Sequence, residues 1–582
     1  MRKRRAVRDP EVAAPPAKTP RWTWVLAALI VFGTYLPTIR YSFLLDDFLL
    51  FKDSPTLHSL SSIPLAFTQD MAAHRTDSSR VQSSYYRPVF LTLATLYYQA
   101  VGPSPSAWHL ASAVLAAGVA ALAVLFFALL GFPPGRAFLA GLVFALHPSH
   151  VSSIAWVSGL QEQLAAAFVL AALLALLSPR APRRPALAIT VSTLCFALAL
   201  LCKEVALALL PMTVAWLLLA PADDTRRRTL LRPAIASFSA VAAAYLAARL
   251  LVLGTLAKPY WEAPSFAQAV WSLPLTLLTY VHLLILPVSY SFVRPERPSP
   301  GPFDPLTEAC LAGAVLLVAL ACIAARRKRE LALPLAWFLI WLLPVMNVWA
   351  LFPEWMVTDR YLYLPSLALP WLLSAALPRR EAGPTLAVVA VLLALLTMRY
   401  SAVFTDARTL TDALLEVDKT SSWMLEEKAR MALEQRKYGA AEALFRRALE
   451  LDPVDAYSLY YVGSFERDRG EFRAARQHFR QALVEQPEKS LPFTSLAYAM
   501  AVSGQRPQAL ALLRETIWRW PSDYEPRALQ IALLAHGEPP ARAAEALAVA
   551  QQTWPGQPEI AGTLDEARSR LAARFHLDGG AP

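Results

Sequence analysis

Up to about residue 400 the chain is a succession of long apolar runs; beyond it, single apolar positions recur among charged ones. The runs fall near 22–39, 106–130, 137–150, 160–177, 186–202, 204–220, 232–253, 270–288, 307–325, 332–349, 360–377 and 384–399. Most are long enough to cross a bilayer core as helices, which takes roughly 20 residues. The run 137–150 is short and ends in His-Pro, which makes it the weakest of these spans. The expected fold is all-α: a polytopic membrane bundle followed by a helical repeat array.

The repeat array is read from its period. Pro453, Pro487, Pro521 and Pro555 are each 34 residues apart, the length of a tetratricopeptide unit of two antiparallel helices. Ala441, Ala475, Ala509 and Ala543 stand twelve residues before the prolines, and Phe445, Phe479, Leu513 and Leu547 eight before. Small residues let the paired helices approach, bulky ones fill the groove, and proline ends the second helix. Gly463 and Ala497 hold the matching small site of the first helix. The fourth unit departs from the pattern, with Gly537 one position early and Pro539-Pro540 after it, as a terminal unit would. Such an array suits protein binding, or serves as a plain scaffold.

The expected domains are a basic cytoplasmic amino terminus over 1–21, a membrane domain over 22–400, a linker over 401–422, the repeats over 423–570 and a disordered tail over 571–582. Charge then orients the bundle. Arg2, Lys3, Arg4, Arg5, Arg8, Lys18 and Arg21 precede the first run and hold that end in the cytoplasm; no small-residue cleavage site follows, so the run is not a cleavable signal. Arg136, the group Arg180, Arg183 and Arg184, and the basic stretch 226–228 mark successive cytoplasmic loops. Loops 40–105, 147–162, 203–204 and 254–269 then face outward. Keeping Arg326-Arg-Lys-Arg329 inside requires 270–288 to be re-entrant, or 254–305 to return to its own side. That leaves about eleven crossings and places the repeats outside. The net charge of +11 is thus accounted for by topology, and nucleic-acid binding is excluded as its explanation. A proline- and alanine-rich composition with few Met points to a bacterial inner membrane. The four cysteines lie in or beside apolar runs and match no metal or disulfide spacing.

The candidate chemistry gathers in the outward segments. Asp46-Asp47 follows the first run, where each carboxylate resists ionisation of the other near the negative end of a helix dipole, so that one is suited to act as a general base. Arg87 lies in Tyr85-Tyr-Arg-Pro88. His147 and His150 form His-Pro-Ser-His, with Gln161 and Glu162 beyond. Lys203-Glu204 makes a charged turn, read either as a site element or as a self-paired turn. Arg360 opens a late run in Asp359-Arg-Tyr-Leu-Tyr-Leu-Pro-Ser366. Ionisable groups beside apolar spans are costly and commonly face a cavity or a substrate path. The cations Arg87, Lys203 and Arg360 could hold a phosphate. His147 and His150 could ligate a metal, against the reading as hydrogen-bonding histidines, and no metal ligand is assigned.

This ordered set, from the Asp-Asp pair through Tyr-Arg-Pro, His-Pro-x-His, Lys-Glu and Asp-Arg-x-Leu-Tyr-x-Pro-Ser to the repeats, resembles the transmembrane-and-tetratricopeptide O-mannosyltransferases and their bacterial relatives. These belong to the GT-C superfamily of lipid-phosphate-sugar-dependent glycosyltransferases. The resemblance implies a catalytic role for Asp46 and Asp47. It implies that Arg87, His147, His150, Glu162, Lys203, Glu204 and Arg360 line the donor and acceptor site. Two departures stand out: Ser152-Ser153 replaces an acidic residue, and 288–294 lacks the family's Asp.

The expected function is therefore transfer of a sugar, mannose by resemblance, from a polyprenyl-phosphate donor to an acceptor hydroxyl on a protein that the repeats present, at the extracytoplasmic face. Membrane lipid and the acceptor protein are the expected partners. No cofactor is assigned, and a divalent metal stays open. There is no Gly-rich loop after a strand to bind a nucleotide sugar. The rival readings are a non-catalytic membrane scaffold, and a transporter, which would want ionisable groups near the membrane midplane.

Overall fold

The computed structural model describes residues 19–52, 54, 56–71, 85–219, 225–256, 264–288, 294, 296–346, 356–485, 490–520 and 523–535. Helices account for all regular structure among them. The basic residues before position 19, Pro487 and Pro521, the fourth repeat beyond Ala535, the stretch 289–293 and the tail lie outside the described residues. The chain divides into two compact units whose boundary falls between Val417 and Asp418. The stretch 401–422, expected as a linker, holds the helix Ala407–Val417.

In the first unit, eight helices among the described residues are long and apolar enough to cross a membrane, fewer than the roughly eleven crossings expected: Arg21–Arg40, Pro105–Leu129, Val157–Leu177, Pro185–Cys202, Arg228–Leu253, Phe266–Ile285, Pro305–Arg327 and Arg379–Phe404. A ninth is reached if Pro134–Ala145 and Pro148–Ile154, bent by 51° at His147-Pro148, act as one. The difference has a physical cause. The runs near 204–220, 332–349 and 360–377 fold as short helices, Leu209–Leu219, Ala332–Leu342 and Ala368–Ala376, packed around aromatic rings. Trp216, Trp337 and Trp371 surround Phe126, with ring centroids 5.6 to 6.3 Å from it. Apolar sequence can be spent on an interior as readily as on lipid. The stretch 270–288, expected to be re-entrant or to lie in a region returning to its own side, falls in one helix of 20 residues, Phe266–Ile285, opened by a Ser265–Gln268 capping box, and a sharp bend occurs at His147-Pro148.

Close packing in this unit rests on small residues. Ala113, Ala116, Ala120 and Ala123 are buried along Pro105–Leu129, and a Cβ on Gly141 would run into Val124. Without a hydrophobic drive between helices in lipid, such close backbone approach supplies the attraction. The segment 40–105, expected as an outer loop, is largely ordered. It contains the turns Leu60–Phe67 and the helix Pro88–Val101, whose Phe90, Leu91 and Ala94 join Phe43, Phe51, Leu57 and Trp108 in one core. This core fixes the residues on either side of it, Asp46-Asp47 and Arg87.

The second unit is a run of helix pairs: Ser422–Glu434 with Tyr438–Leu451, Ala456–Asp468 with Phe472–Glu485, and Ser490–Val502 with Arg506–Arg519, then Tyr524–Ala535. The periodic positions are the core: Ala441, Phe445, Ala475, Phe479, Ala509 and Leu513 are all fully buried. A Cβ on Gly463 would lie 3.0 Å from the Phe479 ring and 3.3 Å from the Ala475 carbonyl oxygen. That contact decides the sign of substitution there. Alanine gains about 1 kcal/mol of helix propensity and asks little of the ring. Leucine overfills the pair, at about 1–3 kcal/mol. Hydrogen exchange should therefore speed up across Ala456–Asp468 and Phe472–Glu485 in Gly463→Leu and stay near wild type in Gly463→Ala; equal protection in both would refute the packing argument.

Candidate functional site

Five segments far apart in sequence meet at one end of the membrane helices. Arg87 caps Pro88–Val101, Gln161 and Glu162 begin Leu160–Leu177, Lys203 and Glu204 end Pro185–Cys202, Asp46-Asp47 lies past the first helix, and Arg360 lies in the turn Asp359–Leu362. The Arg87 guanidinium donates to both Glu204 oxygens, at 3.0 and 2.6 Å, and to Gln161 Oε1 at 2.5 Å. Lys203 Nζ pairs with Glu162 Oε1, both side chains being buried. Lys203-Glu204 is thus no self-paired turn. Its two charges point to different partners, and the two ion pairs interlock through adjacent residues on both sides, Gln161-Glu162 and Lys203-Glu204. Buried charges are tolerated only when paired in this way.

The acidic pair departs from its expected setting. It does not close the first helix, which ends at Arg40, but opens the short helical turn that continues through Phe48–Lys52. Leu45, just before it, has φ of +46°, a left-handed conformation unusual for a leucine. The two carboxylates then have different surroundings. Asp47 is fully buried and accepts hydrogen bonds from Ser158 N at 2.7 Å and Leu44 N at 3.1 Å. Burial pushes its carboxyl up to about 8, against those two N–H groups, which favour the anion. Asp46 is partly exposed. Of the two, Asp46 is the one a substrate can reach, and Asp47 ties the acidic turn to the start of the neighbouring helix. A Cβ on Gly159 would lie 2.5 Å from Ser153 Cα, so this tie depends on glycine beside Ser158.

Arg360 is partly exposed, and its guanidinium lies 4.1 Å from the centre of the Trp156 ring. Trp156 in turn donates Nε1 to the Leu44 carbonyl at 3.2 Å, so the arginine and the acidic turn share one support. Among the described residues no carboxylate lies within ion-pair distance of Arg360. A narrow cavity of about 20 Å³ runs between Glu162, Lys203, Arg360, Tyr361 and Trp341, room for about one water. Glu162 Oε2 is buried with no hydrogen-bond partner among the described residues. The Tyr85 ring lies 4.2 Å from the Arg87 guanidinium, and the charges acting on its phenol are Arg87, Glu204, Asp46 and Arg360. One electrostatic neighbourhood therefore contains seven of the nine residues expected in the site.

The two histidines stand apart. His147 bonds Ser149 Oγ at 2.8 Å and the Leu284 carbonyl at 3.1 Å. His150 bonds Ser366 Oγ at 2.9 Å and stacks on Tyr363 at 4.2 Å. Both are fully buried, and no cluster of metal-ligating side chains occurs among the described residues. They brace the bend at His147-Pro148. Several participants were missed: Trp156, Ser158, Tyr361, and Arg249, whose charge acts on Glu204 and which bonds the Leu256 carbonyl at 3.0 Å. Arg249 could have been found as an arginine inside an apolar run. Ser158 could not, because it contributes a backbone N–H.

No family model matches the chain. The chain is similar to protein O-mannosyl-transferases. It is 28% identical to Protein O-mannosyl-transferase TMTC3 of Mus musculus over 181 residues, 31% of this chain and 20% of that protein. With the Homo sapiens protein of the same name it shares 27% over 177 residues, 30% of this chain and 19% of that one. The matches therefore span about a fifth of these relatives' length. Among solved structures, YrrB, a TPR protein with an unusual peptide-binding site, is 20% identical, covering 29% of this chain and 88% of its own at a TM-score of 0.23. The APC/C hetero-tetramer Cut9-Hcn1 is 13% identical, covering 82% and 92% at a TM-score of 0.25. Likenesses this slight carry no argument about fold.

Two measurements test the site's construction. In a double-mutant cycle, Arg87→Ala and Glu204→Ala should couple by about 1–3 kcal/mol, since each leaves the other's charge without its partner; additive effects would dissolve the pair. For Asp47, below about pH 4 folded and unfolded chains both hold the proton. As pH rises toward 8 the unfolded chain releases it first, so stability falls across that window. Thermal midpoints of the Asp47→Asn chain in nanodiscs should therefore decline less between pH 5 and 8 than those of wild type, and parallel declines would contradict a raised carboxyl.

Proposed function

We propose that the membrane unit is a GT-C-type inverting glycosyltransferase that moves a sugar, mannose by resemblance, from a polyprenyl-phosphate donor to a protein hydroxyl. The observation that carries this reading is the gathering of Arg87, Lys203, Arg360, Glu162 and the acidic pair at one end of a membrane bundle. In the reaction, a carboxylate oxygen of Asp46 takes the acceptor proton. The acceptor oxygen bonds to the anomeric carbon from the face opposite the lipid phosphate, and the bond from that carbon to the phosphate oxygen breaks with its electron pair. The charge that grows on the leaving phosphate is met by cations. Arg360 suits the closest contact because no carboxylate among the described residues answers it, whereas Arg87 and Lys203 already answer Glu204 and Glu162 and supply a longer-range field. Glu162 Oε2 offers an acceptor for a hydroxyl. Similarity to proteins named O-mannosyl-transferases over part of the chain supports the same reaction class.

The orientation follows from charge. The group Arg180 to Arg184 lies between the far ends of Leu160–Leu177 and Pro185–Cys202, the helices that bring Glu162 and Lys203 to the site. With basic loops inside, the site faces the extracytoplasmic side of a cell membrane, in our reading a bacterial inner membrane, and the repeats select the acceptor. In a transfer assay with polyprenyl-phosphate mannose and envelope proteins, Asp46→Asn should slow transfer about a hundredfold to ten-thousandfold. Arg360→Gln should slow it for every acceptor alike. Normal glycosylation by a well-folded Asp46→Asn chain would remove Asp46 as the base, and absence of transfer by the wild-type chain would leave the protein a membrane-anchored scaffold.

A further inference from the structure

The second helix of the second repeat, Phe472–Glu485, carries Arg473, Arg476 and Arg480 on one face with Gln477 between them, and these four side chains line an open recess of about 290 Å³. Arginines nearby are neutralised at short range. Arg446 pairs with Glu442 at 2.9 Å, Arg469 with the same Glu442 at 2.7 Å, and Arg467 with Asp468 at 2.8 Å. Glu466, the nearest buried acid, is taken by Arg446 and by His478 Nδ1 at 2.7 Å. Among the described residues, Arg473, Arg476 and Arg480 have no carboxylate partner. Arg476 instead reaches Gln505 Oε1 at 3.0 Å, which holds it toward the next repeat. Beside Gln505, Arg506 keeps a buried Nη2 with no hydrogen-bond partner among the described residues.

Like charges three and four residues apart on a helix destabilise it, so nothing in the fold calls for this arrangement. We propose that the recess binds an acidic peptide segment in extended conformation. Seven residues of helix place Arg473 and Arg480 about 10 Å apart, the length of roughly three extended residues. Carboxylates on alternate residues of such a strand share one face and meet successive guanidinium forks, which match carboxylates in two parallel hydrogen bonds. Gln477, able to donate and accept, faces the peptide backbone between them. The three guanidinium groups stand in a line along one helix, which suits a linear strand better than a plane of lipid headgroups. The inference is independent of catalysis, because it holds for an enzyme and for a scaffold alike.

The test uses the full chain in neutral phosphatidylcholine nanodiscs and a fluorescent peptide of alternating Glu and Ser, read by anisotropy at low salt. The Glu peptide should bind, its Gln counterpart should not, and affinity should fall as salt screens the contact. Exposed ion pairs are individually weak, so replacing all three, in Arg473→Gln/Arg476→Gln/Arg480→Gln, should weaken binding about tenfold. The control Arg447→Gln/Arg469→Gln, at arginines paired with Glu450 and with Glu442, should leave it unchanged. If the triple Gln variant loses its helices, the triple Lys variant decides: it keeps the charge, and must bind the Glu peptide more weakly than wild type but measurably. Absence of binding, equal binding of the Gln peptide, or full binding by the triple variant would each overturn the proposal. So would an effect of the triple variant confined to adhesion to phosphatidylglycerol nanodiscs, which would mark a lipid contact.

Discussion

Charged side chains can stand at the end of apolar helices only if each is answered, and that constraint organises the membrane unit. Arg87 and Lys203 are both buried, on different segments, and each takes an acid from another: Arg87 from Lys203's own neighbour Glu204, and Lys203 from Glu162 beside Arg87's partner Gln161. No one of these four charges can be withdrawn without leaving another exposed to a low-dielectric surrounding. Alignment of Pro88–Val101, Leu160–Leu177 and Pro185–Cys202 at this end is therefore enforced electrostatically, whereas alanine and glycine contacts set only how closely helices approach. Most of the energy of such pairs is consumed in desolvation, so what they supply is register.

Much of this architecture is legible in the sequence, for reasons that differ by element. The repeats are legible because their core positions recur at one period, and Ala475, Phe479, Ala509 and Leu513 fill the places that period assigns. Convergence of Arg87, Glu162, Lys203, Glu204 and Arg360 was foreseen from the rarity of charge beside apolar runs. Their pairing was not. Adjacency along the chain suggested that Lys203 answers Glu204, but at a helix end the two side chains diverge and find partners across the bundle. Hydropathy likewise misjudged the runs ending near 220, 349 and 377, because a window of apolar residues reads the same whether it faces lipid or surrounds Phe126 with tryptophans. Spacing left the histidines of His-Pro-Ser-His open between metal ligation and hydrogen bonding, and the structure shows hydrogen bonds at both. Spacing cannot tell a ligand from a residue that serves a bend, and a Leu284 carbonyl 137 residues away is invisible to it.

Asp46 and Asp47 bring these strands together, because adjacent identical residues end in opposite circumstances. The left-handed Leu45 turns the chain sharply, so that one carboxylate remains at the surface and the next enters the protein. A strained backbone of this kind costs about 1–3 kcal/mol and persists only when its surroundings over-determine it. Here they do: Phe43 and Phe51 bury in one core, Trp156 holds the Leu44 carbonyl, and Ser158 N–H holds Asp47. The buried acid spends its hydrogen-bonding capacity on position. Its partly exposed neighbour keeps its place beside Tyr85 and near Arg360 without being enclosed, and so retains access to a proton that must come from outside. In the reaction we propose, a base fixed in this way would be oriented before its substrate arrives, the cost of orienting it having been met by folding.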